Sequence, residues 1–180
     1  MPQGAAAGPG ALTLVLGGAR SGKSRYAEGL IAALPPPWVY VATAEAQDAE
    51  MAERIAAHRA RRAAPGWQTI EAPHDLAGAF GSAPVEAPVL VDCLTLWLSN
   101  LMLAEADMDN KIAALEAALA GHGGEVVLVA NEVGSGIVPD NALARRFRDL
   151  QGTLNQRIAG RAGRVVLMVA GLPVIVKGPS

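Results

Sequence analysis

Five short apolar runs rich in β-branched residues recur along the chain: "LTLVL" (12–16), "WVYVAT" (38–43), "PVLVDC" (88–93), "EVVLVANE" (125–132) and "RVVLMVAG" (164–171). Nearly continuous apolar strands alternating with helices predict a parallel sheet covered by helices on both faces, an α/β fold. Helical patterning lies between the runs, in "SRYAEGLIAAL" (24–34), residues 48–63 with Asp48 as a cap, 94–104 and 108–124. The clearest helix is "NALARRFRDLQGTLNQRIAG" (141–160), where Leu143, Phe147, Leu150, Leu154 and Ile158 form a stripe on one face. Gly152 interrupts it at a cost of about 1 kcal/mol relative to alanine, which predicts a close approach there. The stretch between Ala63 and Pro88, dense in proline and glycine, is the least regular.

Composition narrows the class. A chain of 180 residues with 51% hydrophobic and 18% charged residues predicts one well-packed domain. The lead "MPQGAAAGPGA" (1–11) lacks the basic and apolar regions of a secretory signal and reads as a flexible leader before a domain over 12–180. No apolar stretch reaches membrane-spanning length, so stable membrane insertion is not expected. A formal charge of −2 gives no global attraction to nucleic acid. The single cysteine, Cys93, fits a reducing cytoplasm and reads as a small core residue.

The candidate chemistry begins directly after the first strand. Gly17, Gly18, Ala19, Arg20, Ser21, Gly22, Lys23 and Ser24 fit Gly-x4-Gly-Lys-Ser between a predicted strand and a predicted helix. That pattern cradles phosphates: glycines turn backbone N–H groups inward, and the helix N-terminus adds partial positive charge. Lys23 would reach the outer phosphates and the Ser24 hydroxyl would complete a magnesium site. Asp92, at the end of the third apolar run, either directs charge at that magnesium or caps the next helix. The loop "NEVGSGIVPDN" (131–141) follows the fourth run and faces the same crevice. Asp140 and Asn141 suit a capping role in it, whereas Glu132 is harder to explain structurally. In helix 48–63, Arg54, Arg59, Arg61 and Arg62 crowd His58. They form either a solvated face or an anion site, and their charge disfavours imidazolium.

Taken together, "GGARSGKSRYAE", "EMAERIAAHRARR", "GWQTIE", "LVDCLTLWLSNL" and "NEVGSGIVPDNALARRFRDLQGTLNQRIA" resemble the bifunctional adenosylcobinamide kinase / adenosylcobinamide-phosphate guanylyltransferase family of cobalamin biosynthesis. The resemblance covers nearly the whole chain after the leader. It implies a RecA-like phosphate-loop fold and a symmetric homotrimer. It also implies phosphorylation of the aminopropanol hydroxyl of adenosylcobinamide by ATP or GTP, then transfer of GMP from GTP to the resulting phosphate, with Mg2+ as cofactor. The second step passes through a GMP–histidine, and the matching residue is His58. Some relatives carry two adjacent histidines here, whereas this chain has Ala57 before His58. Nucleotide contacts carry over to Gly17–Ser24, to Ala42, Thr43 and Ala44, to Arg59, Ala60, Arg61 and Arg62, and to Glu71 and Asp92. Two rival readings are a plain small-molecule phosphate-loop kinase and a non-catalytic nucleotide switch.

Overall fold

The computed structural model describes residues 11–45 and 65–179. The predicted helix 48–63 with His58, Arg59, Ala60, Arg61 and Arg62, and the predicted leader up to residue 10, lie outside the described residues. Seven strands form one sheet: β1 (Leu12–Gly17), β2 (Trp38–Ala42), β3 (Trp67–Glu71), β4 (Val89–Asp92), β5 (Val126–Asn131), β6 (Arg164–Val169) and β7 (Leu172–Lys177). Their order is β3-β2-β4-β5-β1-β6-β7, and every pairing is parallel except β6 with β7. The described helices are α1 (Lys23–Ala32), α2 (Leu76–Ser82), α3 (Leu94–Leu103), α4 (Met108–Gly121) and α5 (Ala142–Arg161).

Alternation along the strands divides the core in two. Leu14, Val39, Val41, Val89, Val91 and Leu128 pack with apolar residues of α2, α3, α4 and α5. Val15, Tyr40, Leu90, Val127, Val129 and Val166 face the other way, against Ala27 and Ile31 of α1. Both faces of the sheet are therefore covered, which is why the central strands read as continuous apolar runs.

The stretch after Ala63 is more regular than its composition suggests. It contains β3 and α2, the latter capped by Asp75, whose side chain accepts from Gly78 N–H. β3 escapes detection because it is a sheet edge with Gln68, Thr69 and Glu71 exposed. β7 escapes differently: its apolar run carries Pro173, which demotes a strand reading, and it is an antiparallel edge whose Leu172, Val174 and Val176 stay exposed.

The α5 stripe also shifts. Leu154 and Ile158 are fully buried, Phe147 and Leu150 pack against the core, but Leu143 is exposed. Gln151 and Asn155 complete the buried face instead. Nor does Gly152 mark a close approach: among the described residues, a Cβ there would meet no heavy atom within 4 Å. Alanine at this position gains helix propensity without a clash. Gly152→Ala should raise stability by about 0.5–1 kcal/mol, read as a higher denaturation midpoint with an unchanged slope in urea.

Candidate functional site

The sheet register places the candidate residues on one rim. Ala42 stands opposite Glu71 on one side and Asp92 on the other, so the ends of β3, β2 and β4 are level. Gly17 stands opposite Asn131, which makes β5 the one strand between β1 and β4. The loop Gly17–Ser24, the 42–44 turn, Glu71, Asp92 and the 131–141 loop thus share the carboxyl edge of the sheet. Parallel sheets hold ligands at that edge.

The loop after β1 is shaped by its glycines. A Cβ on Gly17 would collide with Ser21 Oγ and come within 2.9 Å of the Met168 carbonyl oxygen. Gly22 takes φ 91°, a left-handed conformation that glycine adopts without strain, and Arg20 takes φ 55°. Ser21 N–H donates to Gly18 O at 3.3 Å, while among the described residues the amides of Ala19, Arg20 and Gly22 make no backbone hydrogen bond. Lys23 Nζ folds across the loop and donates to Gly18 O at 3.0 Å. Ser21 Oγ is buried with no hydrogen-bond partner among the described residues. Gly18, Ala19 and Arg20 are exposed, and Lys23 and Ser24 at the start of α1 are half-buried. A concave set of amide donors at a helix N-terminus, with a lysine beside it, is an anion cradle in its chemistry.

Asp92 is half-buried, and its Oδ2 accepts from Tyr40 O–H at 3.1 Å. It does not cap α3: the N-cap residue is Cys93, which makes no side-chain cap bond. Thr43 is fully buried and its hydroxyl is committed to Cys93, accepting from Cys93 N–H and donating to Cys93 O, each at 2.8 Å. Asn100 Nδ2 donates to Thr43 O at 2.9 Å. Thr43 thus braces the segment after Asp92, while Ala42 and Ala44 on either side are half-buried. Burial, then the Asp92 charge, pushes the Cys93 thiol from its ordinary 9.0 to about 11. It stays protonated near neutrality and is a core residue.

Among the described residues no cluster of three or more His, Cys, Asp or Glu could hold a metal by itself. Magnesium asks for less, one or two carboxylates with the remaining positions filled by phosphate oxygens and water. The hydroxyl of Ser24 and the carboxylate of Asp92 are hard oxygen donors of that kind, so the donor set fits.

Glu71 is exposed on the edge strand β3, beside a cavity of about 390 Å³ lined also by His74, Asp75 and Ser82. His74 Nδ1 lies 3.7 Å from Glu45 Oε1. His122 is buried, its Nε2 2.8 Å from Ala87 O and its ring edge-on to Phe80. Asn141 caps α5 through Ala144 N–H at 2.7 Å. Asp140 meets Arg145 only through its backbone carbonyl, at 2.8 Å.

Sequence reading passed over the polar supports of this rim. Asn131 N–H donates to Thr95 Oγ1 at 2.7 Å, Asn155 Nδ2 donates to Asn131 O at 3.1 Å, and Gln151 Nε2 donates to Asn155 Oδ1 at 2.8 Å. The available signal was a pair of uncharged amides one turn apart, flush with the apolar stripe of α5.

Two solved structures share the fold. One from Pyrococcus horikoshii OT3 matches with a TM-score of 0.55 at 9% identity, covering 94% of this chain and 87% of that one. A type III secretion system ATPase matches with a TM-score of 0.52 at 11% identity, covering 87% of this chain and 50% of the other. The architecture is the RecA-like phosphate-loop fold. Sequence relatives are far nearer. The bifunctional adenosylcobalamin biosynthesis protein CobP of Pseudomonas aeruginosa is 50% identical over 168 residues, covering 92% of this chain and 96% of the relative. The corresponding CobU proteins of Salmonella typhimurium and Escherichia coli are 43% and 40% identical over 183 residues, each covering 92% of this chain and 99% of the relative. The family described as cobinamide kinase / cobinamide phosphate guanyltransferase matches residues 13–176, and the chain belongs to that family of enzymes.

Proposed function

We propose that this protein phosphorylates the aminopropanol hydroxyl of adenosylcobinamide with ATP or GTP, then transfers GMP from GTP to adenosylcobinamide phosphate through a GMP–His58 intermediate. The observation that carries this reading is the rim itself: in a member of this family, the Gly17–Ser24 cradle and Asp92 stand one strand apart. Loop amides and Lys23 would hold the nucleotide phosphates and stabilise charge gathering on the phosphorus and the departing group. Ser24 and Asp92 would hold Mg2+, which when bound neutralises charge shared between neighbouring phosphates.

Guanylyl transfer asks for a nucleophile, and a histidine splits one difficult displacement into two. Of the three histidines, His122 is enclosed in the core and His74 sits beside Glu45. His58, with Arg59, Ala60, Arg61 and Arg62 following it, is the residue assigned to attack the α-phosphorus and expel pyrophosphate. Glu71, with Ala42, Thr43 and Ala44, would contact the nucleotide away from its phosphates. Thr43 can do so only in part, because its hydroxyl is already committed to Cys93.

The chain is proposed to work in the cytoplasm as a homo-oligomer, a trimer by family resemblance. Exposed Leu172, Val174 and Val176 on β7 favour self-association. Among the described residues no helix is long and apolar enough to cross a membrane.

The decisive experiment uses GTP labelled at the α-phosphate. Incubation without corrinoid should leave an acid-labile, base-stable label on the chain, which adenosylcobinamide phosphate then discharges into product. His58→Ala should abolish labelling and guanylyl transfer while keeping the kinase step. Label persisting in that variant, or a base-labile adduct, would reassign the nucleophile. Formation of ADP without pyrophosphate, whatever the acceptor, would favour a plain kinase, and binding without either product a switch.

Lys23→Ala should weaken nucleotide binding and impair both activities, measured by titration and by both product assays. Survival of one activity at the wild-type rate would require two separate nucleotide sites. Asp92→Asn should leave the fold intact, raise the Mg2+ concentration needed for half-maximal rate and slow turnover. A titration superimposable on the wild type would leave Asp92 as the partner of Tyr40 alone.

A further inference from the structure

Phosphorylating an alcohol needs somewhere for its proton to go, and among the described residues three carboxylates stand at or directly after strand ends on the rim. Glu71 ends β3, Asp92 ends β4, and Glu132 follows β5. Adjacent strands lie about 4.8 Å apart, which puts β5 one step from β1, β4 about 10 Å away and β3 about 19 Å away. A general base must come within hydrogen-bond reach of the hydroxyl, which itself must meet the terminal phosphate beyond β1. Asp92 is moreover the carboxylate assigned above to Mg2+, which leaves it a poor proton acceptor.

Glu132 is held where such a base belongs. Its N–H donates to the Gly17 carbonyl at 3.1 Å, which ties it to the first residue of the phosphate loop. Gly134 N–H donates to its Oε1 at 2.5 Å, and among the described residues no protein group donates to Oε2. The side chain is half-buried at the rim. Behind it the Gln151–Asn155–Asn131 chain fixes the end of β5 to α5, and Thr95 fixes it to α3. One carboxylate oxygen is anchored, among the described residues the other accepts no hydrogen bond, and the backbone N–H is tied to Gly17.

We propose that Glu132 accepts the proton of the acceptor hydroxyl in the phosphorylation step, an inference that rests on the functional reading above. The hydroxyl oxygen bonds to the γ-phosphorus and the bond from that phosphorus to the β–γ bridging oxygen breaks. The nucleoside diphosphate leaves with the electron pair, and the hydroxyl proton passes to Glu132 and then to water. Guanylyl transfer makes no such demand. Its acceptor is a phosphate monoester whose second ionisation lies near about 6, so it is already an anion at neutral pH. The two reactions therefore separate what Glu132 does from what the shared nucleotide site does.

Glu132→Gln keeps an amide oxygen that can still accept from Gly134 N–H, and removes the basic carboxylate. With ATP and adenosylcobinamide its kinase kcat should fall by about 10²-fold or more, with little change in KM. Pyrophosphate release with GTP and adenosylcobinamide phosphate should keep its rate, which also shows that the variant is folded and binds nucleotide. Glu132→Asp, which retains the acid on a shorter arm, should recover part of the kinase rate. Equal retention of both activities in Glu132→Gln overturns the assignment. So does equal loss of both, which would make Glu132 part of the common nucleotide site. Wild-type protein without kinase activity would instead sink the functional reading, and that result is read before any variant is made.

Discussion

Glu132 N–H donates to the Gly17 carbonyl at the point where β1 gives way to its loop, and this bond joins two strands that do different work. Gly17 tolerates no Cβ, since Ser21 Oγ and the Met168 carbonyl already fill that space. The loop therefore leaves the sheet along one path, between β5 and β6. Everything on the rim is measured from that path: the α1 N-terminus with Lys23, the end of β5 with Glu132, and Asp92 one strand farther on. A side chain at Gly17 would move the cradle relative to both carboxylates at once.

How much of this was legible in the chain depended on where each strand sits. β1, β2, β4, β5 and β6 are covered on both faces, so burial forces an apolar run that can be read directly. β3 and β7 are edges: Gln68, Thr69 and Glu71 break the apolar run in one, and Pro173 breaks the strand pattern in the other. The phosphate loop was legible because its chemistry is local, eight consecutive residues between a strand and a helix. The Tyr40–Asp92 bond spans 52 positions and the Thr43–Cys93 brace 50, and no local pattern encodes either. Gly152 misled because propensity treats a helical glycine as a cost needing a reason, and the described residues offer no steric one.

The polar chain from α5 explains why that helix buries amides where the stripe alone would place leucine. Gln151 is fully buried, Asn155 nearly so, and Gln151 Oε1 has no partner among the described residues. Burying an amide with one unpaired atom is costly, of the order of 1–3 kcal/mol. An apolar pair would avoid that cost but could not donate to the carbonyl of Asn131, the last paired residue of the β1–β5 ladder. The amides trade core stability for a fixed direction at the end of β5. Apolar packing holds helix against sheet but does not aim a backbone carbonyl.

The rim also carries a nucleophile whose reactivity the fold suppresses. Cys93 adjoins Asp92 and is the most nucleophilic side chain the described rim contains once ionised. Burial and the neighbouring carboxylate hold its thiol up at about 11. The thiol therefore stays protonated around neutral pH. The Thr43 hydroxyl, doubly bonded to the Cys93 backbone, keeps this residue facing the core. Asp92 thereby has two effects on the chemistry of the site. Its carboxylate accepts from Tyr40 O–H at the rim, and its charge disfavours a thiolate at the next residue. A neutral imidazole needs no ionisation to attack phosphorus and escapes that suppression. The GMP–histidine route proposed above would exploit that asymmetry, on a rim whose cysteine sits beside a carboxylate.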